Sequence, residues 1–238
     1  MRYLEIDLGR GIAVVLMIIY HFLFDIFYFK SMINFYWLVP AMASIFVLIS
    51  GICLNISYSK NKNFTKFVRR GIKLFSLGML ITLISFLLLT KGFILFGILH
   101  FFGISSLLAY PFLKYFKNKL SYLLLGILII ALGIYLSNLR FETNYFMWLG
   151  LIPKNFYTFD YFPILPWFGI LLVGIFLGKV FYPSGKRNFQ LPIYKGNVVN
   201  LFSFLGKNSL IIYFIHQPII LSILFLLGQT EFLSVFSL

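Results

Sequence analysis

Acidic residues are scarce in this 238-residue chain, six Asp and Glu against 20 Lys and Arg. Cysteine is scarcer. Cys53 stands alone, so no internal disulfide and no thiolate metal cluster can form, and its apolar surroundings mark it as a small buried hydrophobe. Charged residues of both signs make up 11% of the chain, where a soluble domain averages roughly 25%. That shortage excludes an ordinary water-soluble globule, and no segment is polar enough to form a soluble domain by itself. No internal period of about 20–50 residues and no low-complexity tract is visible, which removes repeat architectures. The opening MRYLEIDLGRG carries acids ahead of its apolar run and no small-residue cleavage site soon after, so it is not read as a removable signal peptide.

What the chain has in abundance is apolar length. Hydrophobic residues reach 61% and the mean hydropathy is +0.97. A spanning helix needs about 20 mostly apolar residues, and seven stretches qualify: 8–29, 35–57, 71–90, 94–114, 120–138, 161–182 and 205–227. The expected fold is all-α, a single multi-pass membrane domain over 1–238, with a tight hairpin at Lys91-Gly92-Phe93. Lys and Arg orient it. With the N-terminus inside and the C-terminus outside, 16 of the 20 basic residues fall on inner segments, including Lys60, Lys62, Lys66, Arg69, Arg70 and Lys73. Lys30, Lys91, Arg140 and Lys154 lie outside. Topology alone therefore accounts for the net charge of +14, and a nucleic-acid partner is not required. The longest outer loop, 139–160, is rich in aromatics (Tyr145, Phe146, Trp148, Phe156, Tyr157). It reads either as an interfacial belt or as a wall of an acceptor-binding cavity.

Ionisable groups at the centre of a spanning helix cost roughly 2.5–3.5 kcal/mol each on insertion scales, so they mark function by default. The first helix carries Asp7, Arg10, His21 and Asp25. At 3.6 residues per turn these project within one stripe about 60° wide, which Tyr28 continues, and the stripe runs about 27 Å along the axis. It is expected to face protein rather than lipid. Asp7 and Arg10, three apart, are placed to neutralise each other. His21 and Asp25, four apart, are placed so that the carboxylate orients the imidazole as a general base; the alternative is that both bond neighbouring helices as structural ties. Ser209, Tyr213 and His216 share a second inward face in the last span, where Pro218 frees a carbonyl near Phe214 that His216 or Gln217 is placed to satisfy. His100 lies in the fourth span. For His100 and His216 a structural and a substrate-binding role both stand.

The opening EIDLGRGIAVVLMIIYHFLFD resembles the first-helix signature of the transmembrane acyltransferase superfamily. Within it, the chain is most similar to small prokaryotic relatives of the catalytic domain of heparan-α-glucosaminide N-acetyltransferase. FVRRGIK, FGILHFFGISSLLAYPF, YFPILPWFGILLVGIFLG and LGKNSLIIYFIHQPII extend the resemblance over most of the chain. The wider superfamily separates an arginine and a histidine by ten residues, as Arg10 and His21 are separated. The human-type enzyme carries asparagine where His21 falls, and its own histidine lies near Met32 here.

This resemblance implies transfer of an acyl group, expected to be acetyl, from cytoplasmic acyl-CoA to a hydroxyl or amine of an extracytoplasmic acceptor such as a glycan. Arg10 would position, His21 would take the central catalytic role, and Asp25 would steady the imidazolium. Arg69, Arg70 and Lys73 would hold the CoA phosphates through charge-assisted contacts, or else simply follow the positive-inside rule. His100, Tyr213 and His216 are the substrate-binding candidates. Arg10 and His21 are about 16.5 Å apart along the helix, similar to the reach of a pantetheine arm. The cofactor expectation is acetyl-CoA or another acyl-CoA as co-substrate, with no metal. The expected partners are the lipid bilayer of the cell membrane and a polar acceptor, and the sequence is compatible with a homo-oligomer. A proton-coupled transporter using the same stripe is the competing reading, without the paired broken helices or inverted repeat that many transporters show. A retinal protein would need a mid-membrane lysine in the last helix, whereas Lys207 sits at its inner edge. A scaffold would give no reason for aligned polar residues.

Overall fold

The computed structural model describes residues 3–27, 38–192, 196–230, 233 and 236. Eight α-helices form among them: α1 (Leu4–Phe27), α2 (Leu38–Lys60), α3 (Phe64–Leu88), α4 (Ile98–Tyr115), α5 (Lys119–Ser137), α6 (Ile164–Phe181), α7 (Asn197–Lys207) and α8 (Ser209–Leu226). No strand forms among the described residues; Phe96 with Tyr161 and Phe141 with Pro153 make isolated bridges. Six helices (α1, α2, α3, α5, α6 and α8) are long and apolar enough to cross a membrane. The chain is an all-helical multi-pass membrane protein.

Four details differ from the sequence expectation, each with a local cause. The expected span 94–114 becomes α4, an 18-residue helix whose His100, Ser105, Ser106 and Lys114 keep it out of the six. The expected span 205–227 is two helices, because Asn208 ends α7: its backbone N–H and its side-chain amide both donate to the Phe204 carbonyl. Helix α3 begins well before residue 71, where Asn63 caps it by accepting the Thr65 N–H at 2.9 Å, the ordinary use of Asn at an N-terminus. Lys66, Arg69 and Arg70 therefore ride on helix, not loop. The connection from α3 to α4 is also longer than a tight hairpin and occupies 89–97.

The described chain gathers into two compact units. The first comprises residues 1–49 and 190–236, and in it α1 packs along α7 and α8. The α1–α7 crossing is very close: a Cβ on Gly206 would stand 1.8 Å from the Asp7 carbonyl oxygen, and one on Gly11 would stand 2.0 Å from that of Phe202. Ile220 and Leu224 of α8 bury against Ile18, Phe22 and Ile26 of α1.

The second unit comprises 50–189 and is built from two helix hairpins, α3–α4 and α5–α6, with α4 also touching α6. Each hairpin crosses at a reciprocal glycine pair, Gly71 with Gly103 and Gly126 with Gly169, where backbones approach as only small residues allow. At one end of this unit, 92–96 is zipped to 158–162 by Phe159 N–H to Gly92 O and Phe162 N–H to Phe96 O. At the other, the Tyr110 hydroxyl ties α4 to the Lys62 carbonyl just before α3.

Candidate functional site

In the first unit, α1 and α8 bring His21 and His216 together. Their ring centroids are 4.8 Å apart, with the planes at 73°. Both imidazoles are held the same way. His21 Nδ1–H donates to the Met17 carbonyl at 2.9 Å and His216 Nδ1–H donates to that of Tyr213 at 2.8 Å. Helical side chains lean toward the N-terminus, so each ring lies back over its own preceding turn. In a neutral imidazole the second nitrogen then carries a lone pair. His216 Nε2 is buried with no hydrogen-bond partner among the described residues. Tyr20 packs edge-on against His21 and Tyr213 tilts against His216, walling the pair with aromatic rings.

The expected His21–Asp25 bond does not form. Because the His21 ring leans toward Met17, Asp25 turns to α8 and accepts from Gln217 Nε2 at 2.8 Å. The carboxylate is 6% exposed and one helical turn from His21. Gln217 Oε1 is a second buried acceptor left unpartnered. Lower on α1, Asp7 is buried at the glycine crossing and Arg10 is half-buried one turn on. Tyr28, Lys30 and Met32 lie outside the described residues.

The second unit holds the basic candidates. Arg69 lines an open cleft of about 510 Å³ together with Asn61, Asn63, Thr65 and Lys66, around the capped start of α3. Arg70 turns away from this cleft and donates to Ser50 Oγ at 3.1 Å. Lys73 is exposed one turn further along. His100 belongs to the opposite end of this unit. Its Nδ1 accepts the Gly97 N–H at 3.2 Å, and its Nε2–H faces Thr82 Oγ1 at 3.4 Å, while Thr82 donates to the Ile94 carbonyl. Both ring nitrogens are thus used in capping α4 and tying it to α3, which accounts for the burial of His100 without a ligand.

Sequence reasoning named His21, His216 and Asp25 but not how they pair, because a separation of 192 positions between Asp25 and Gln217 leaves no local signature of a contact. It also passed over Lys66 and the Asn61–Thr65 rim as site residues. Asn63 followed by an apolar-periodic run was the available signal for a helix start there.

Residues 2–218 match the family described as "Heparan-alpha-glucosaminide N-acetyltransferase, catalytic". No curated protein and no solved structure matches the chain.

Proposed function

Because the chain belongs to the heparan-α-glucosaminide N-acetyltransferase catalytic-domain family, a family of membrane acetyltransferases, we propose that it moves an acetyl group from acyl-CoA to a hydroxyl or amine of a polar, extracytoplasmic acceptor, a glycan in the first instance. Residues 1–238 act as one acyltransferase domain in the cell membrane. With α4, which pairs with α3 in a hairpin, crossing as a seventh span beside the six, the N-terminus lies inside and the C-terminus outside, as the split of basic residues supports. The observation that carries the reading is the tethering of His21 by its Nδ1–H, which leaves Nε2 as a base within an aromatic wall.

His21 Nε2 takes the proton from the acceptor O–H or N–H as the acceptor heteroatom attacks the thioester carbonyl. The C–S bond breaks, and the proton passes from the imidazolium to the CoA thiolate, giving acylated acceptor and CoA–SH. General base catalysis of this kind contributes typically 10²–10⁴-fold. Asp25, fixed by Gln217, supports the positive charge on His21 from one turn away. His216 and Tyr213 line the acceptor side, and Arg10 positions the acyl donor. The CoA phosphates fall to Arg69 and Lys66 in the basic cleft, with Lys73 adding charge and Arg70 supporting the helix through Ser50.

Purified protein in nanodiscs, given acetyl-CoA and a panel of hydroxyl and amine acceptors, is expected to release free CoA thiol only when a suitable acceptor is present. Failure of every acyl-CoA to shift the melting temperature, together with no thiol release, would overturn the proposal.

A further inference from the structure

The end of the second unit opposite the basic cleft carries another cavity, of about 540 Å³, lined among others by Glu142, Asn144, Lys154, Asn155, Phe156 and Tyr157. Its walls are fixed by backbone bonds. Phe141 N–H donates to the Ile152 carbonyl at 3.0 Å and Lys154 N–H returns to the Phe141 carbonyl at 3.1 Å. The Tyr161 hydroxyl ties the Met147 carbonyl at 2.6 Å, and Phe156 stacks edge-on against Tyr161 at 4.9 Å.

Tyr157 is held from behind. Gly92, at φ +76°, leaves room that a Cβ would take from the Tyr157 and Phe159 rings, the nearest atoms being only 2.6 and 2.9 Å away. Phe159 packs edge-on at 5.4 Å, yet Tyr157 keeps 48% of its surface exposed. A rigid, half-bare aromatic ring beside two primary carboxamides matches a sugar ring, which offers an apolar C–H face and hydroxyls at its edge.

Charge narrows the ligand further. Lys154 Nζ is paired with Glu142 Oε1, and Arg140 donates to the Ser137 and Leu139 carbonyls at the end of α5. Among the described residues that line the cavity Lys154 is the one cation and Glu142 balances it, while Arg140 does not line it, so the cavity offers no unbalanced cation to a sulfate or carboxylate. Trp148, Tyr145 and Phe146 do not line it and are left for the interfacial belt.

We infer that this cavity is a docking subsite for neutral pyranose rings, stacked on Tyr157 and hydrogen-bonded by Asn144 and Asn155. It deepens the glycan-acceptor reading, on which it rests, by naming an uncharged sugar as what the outer face holds. The test is saturation-transfer NMR on the full chain in nanodiscs, with cellotetraose and maltotetraose as neutral probes and a heparin-derived tetrasaccharide as the sulfated one. At least one neutral probe is expected to bind. Tyr157→Ala should weaken it about tenfold, the worth of one stacking contact, and Asn155→Leu should weaken it without a shift in melting temperature. Trp148→Ala should bind as the unaltered chain does.

Absence of neutral-sugar binding, equal binding by Tyr157→Ala, or preference for the sulfated probe overturns the inference. Thiol release from acetyl-CoA on the same samples separates the two readings. Turnover without neutral-sugar binding removes the subsite alone, whereas sugar binding with no thiol release from any acceptor and no thermal shift by acyl-CoA upholds the subsite and removes the acyltransferase reading.

Discussion

His21 and His216 stand edge to face across the α1–α8 contact, their ring centroids 4.8 Å apart, although nearly the whole chain separates them in sequence. Each ring donates its Nδ1–H to its own helix, so neither needs the other as a partner. The buried Nε2 of His216 has no hydrogen-bond partner among the described residues, so it is the group with most to gain from a ligand.

His216→Ala is accordingly expected to raise KM for the acceptor by about tenfold, the worth of one hydrogen bond to a buried group. KM for acyl-CoA should not change, and His216→Phe should restore packing but not acceptor affinity. Steady-state kinetics on the three proteins checks this, and an unaltered acceptor KM would contradict the role given to His216.

The Gln217–Asp25 bond predicts an asymmetry. Gln217→Leu removes the donor that a buried carboxylate has among the described residues and should cost about 1–3 kcal/mol, the usual penalty for an unsatisfied buried group. Asp25→Asn keeps an oxygen to receive the Gln217 amide and should cost less. Thermal unfolding in detergent ranks the two, and the reverse order would show that the bond does not hold α1 to α8.

The helix crossing beneath the stripe has no spare room. Gly206→Ala drives a methyl into the Asp7 carbonyl and is expected to destabilise by at least about 1–3 kcal/mol, as overpacking does. Gly196→Ala, with nothing within 4 Å of its Cβ, should leave the melting temperature unchanged. Equal melting temperatures for both variants would mean that α1 and α7 do not cross at this spacing.

Much of this arrangement was legible from residue order, and the reasons are physical. Apolar length marked seven stretches, six of which hold membrane-competent helices, because lipid demands it of every span, and the single stripe on α1 followed from helical periodicity. Periodicity cannot say which helix a stripe meets, so Asp25 was paired with His21, its neighbour in register, when its partner is Gln217 on a distant helix. Caps were also hidden behind composition. Asn208 ends α7 inside a long apolar stretch, where hydropathy windows average one short polar residue away, and Asn63 begins α3 inside a polar, basic stretch that reads as loop. His100 looked like an intramembrane site residue because its two partners, the Gly97 amide and Thr82, carry no sequence signal of contact.

The basic cleft separates two adjacent arginines. Arg69→Glu should raise KM for acyl-CoA about tenfold or more with little change in melting temperature, since it reverses a charge in the cleft to which the proposal assigns the phosphates. Arg70→Ala removes the bond to Ser50 and should act mainly on stability. Identical KM effects from both would favour a purely topological role for the cluster.

The central claim is that His21 is the base in acyl transfer, and a single-turnover assay reads it most directly. With excess purified protein, acetyl-CoA and an active acceptor, the unaltered chain should convert acetyl-CoA to free CoA and acetylated acceptor in equal amounts. His21→Ala should abolish both products while retaining its melting temperature and its acetyl-CoA-induced thermal shift. Acetylated acceptor formed by well-folded His21→Ala at the unaltered rate would contradict the account.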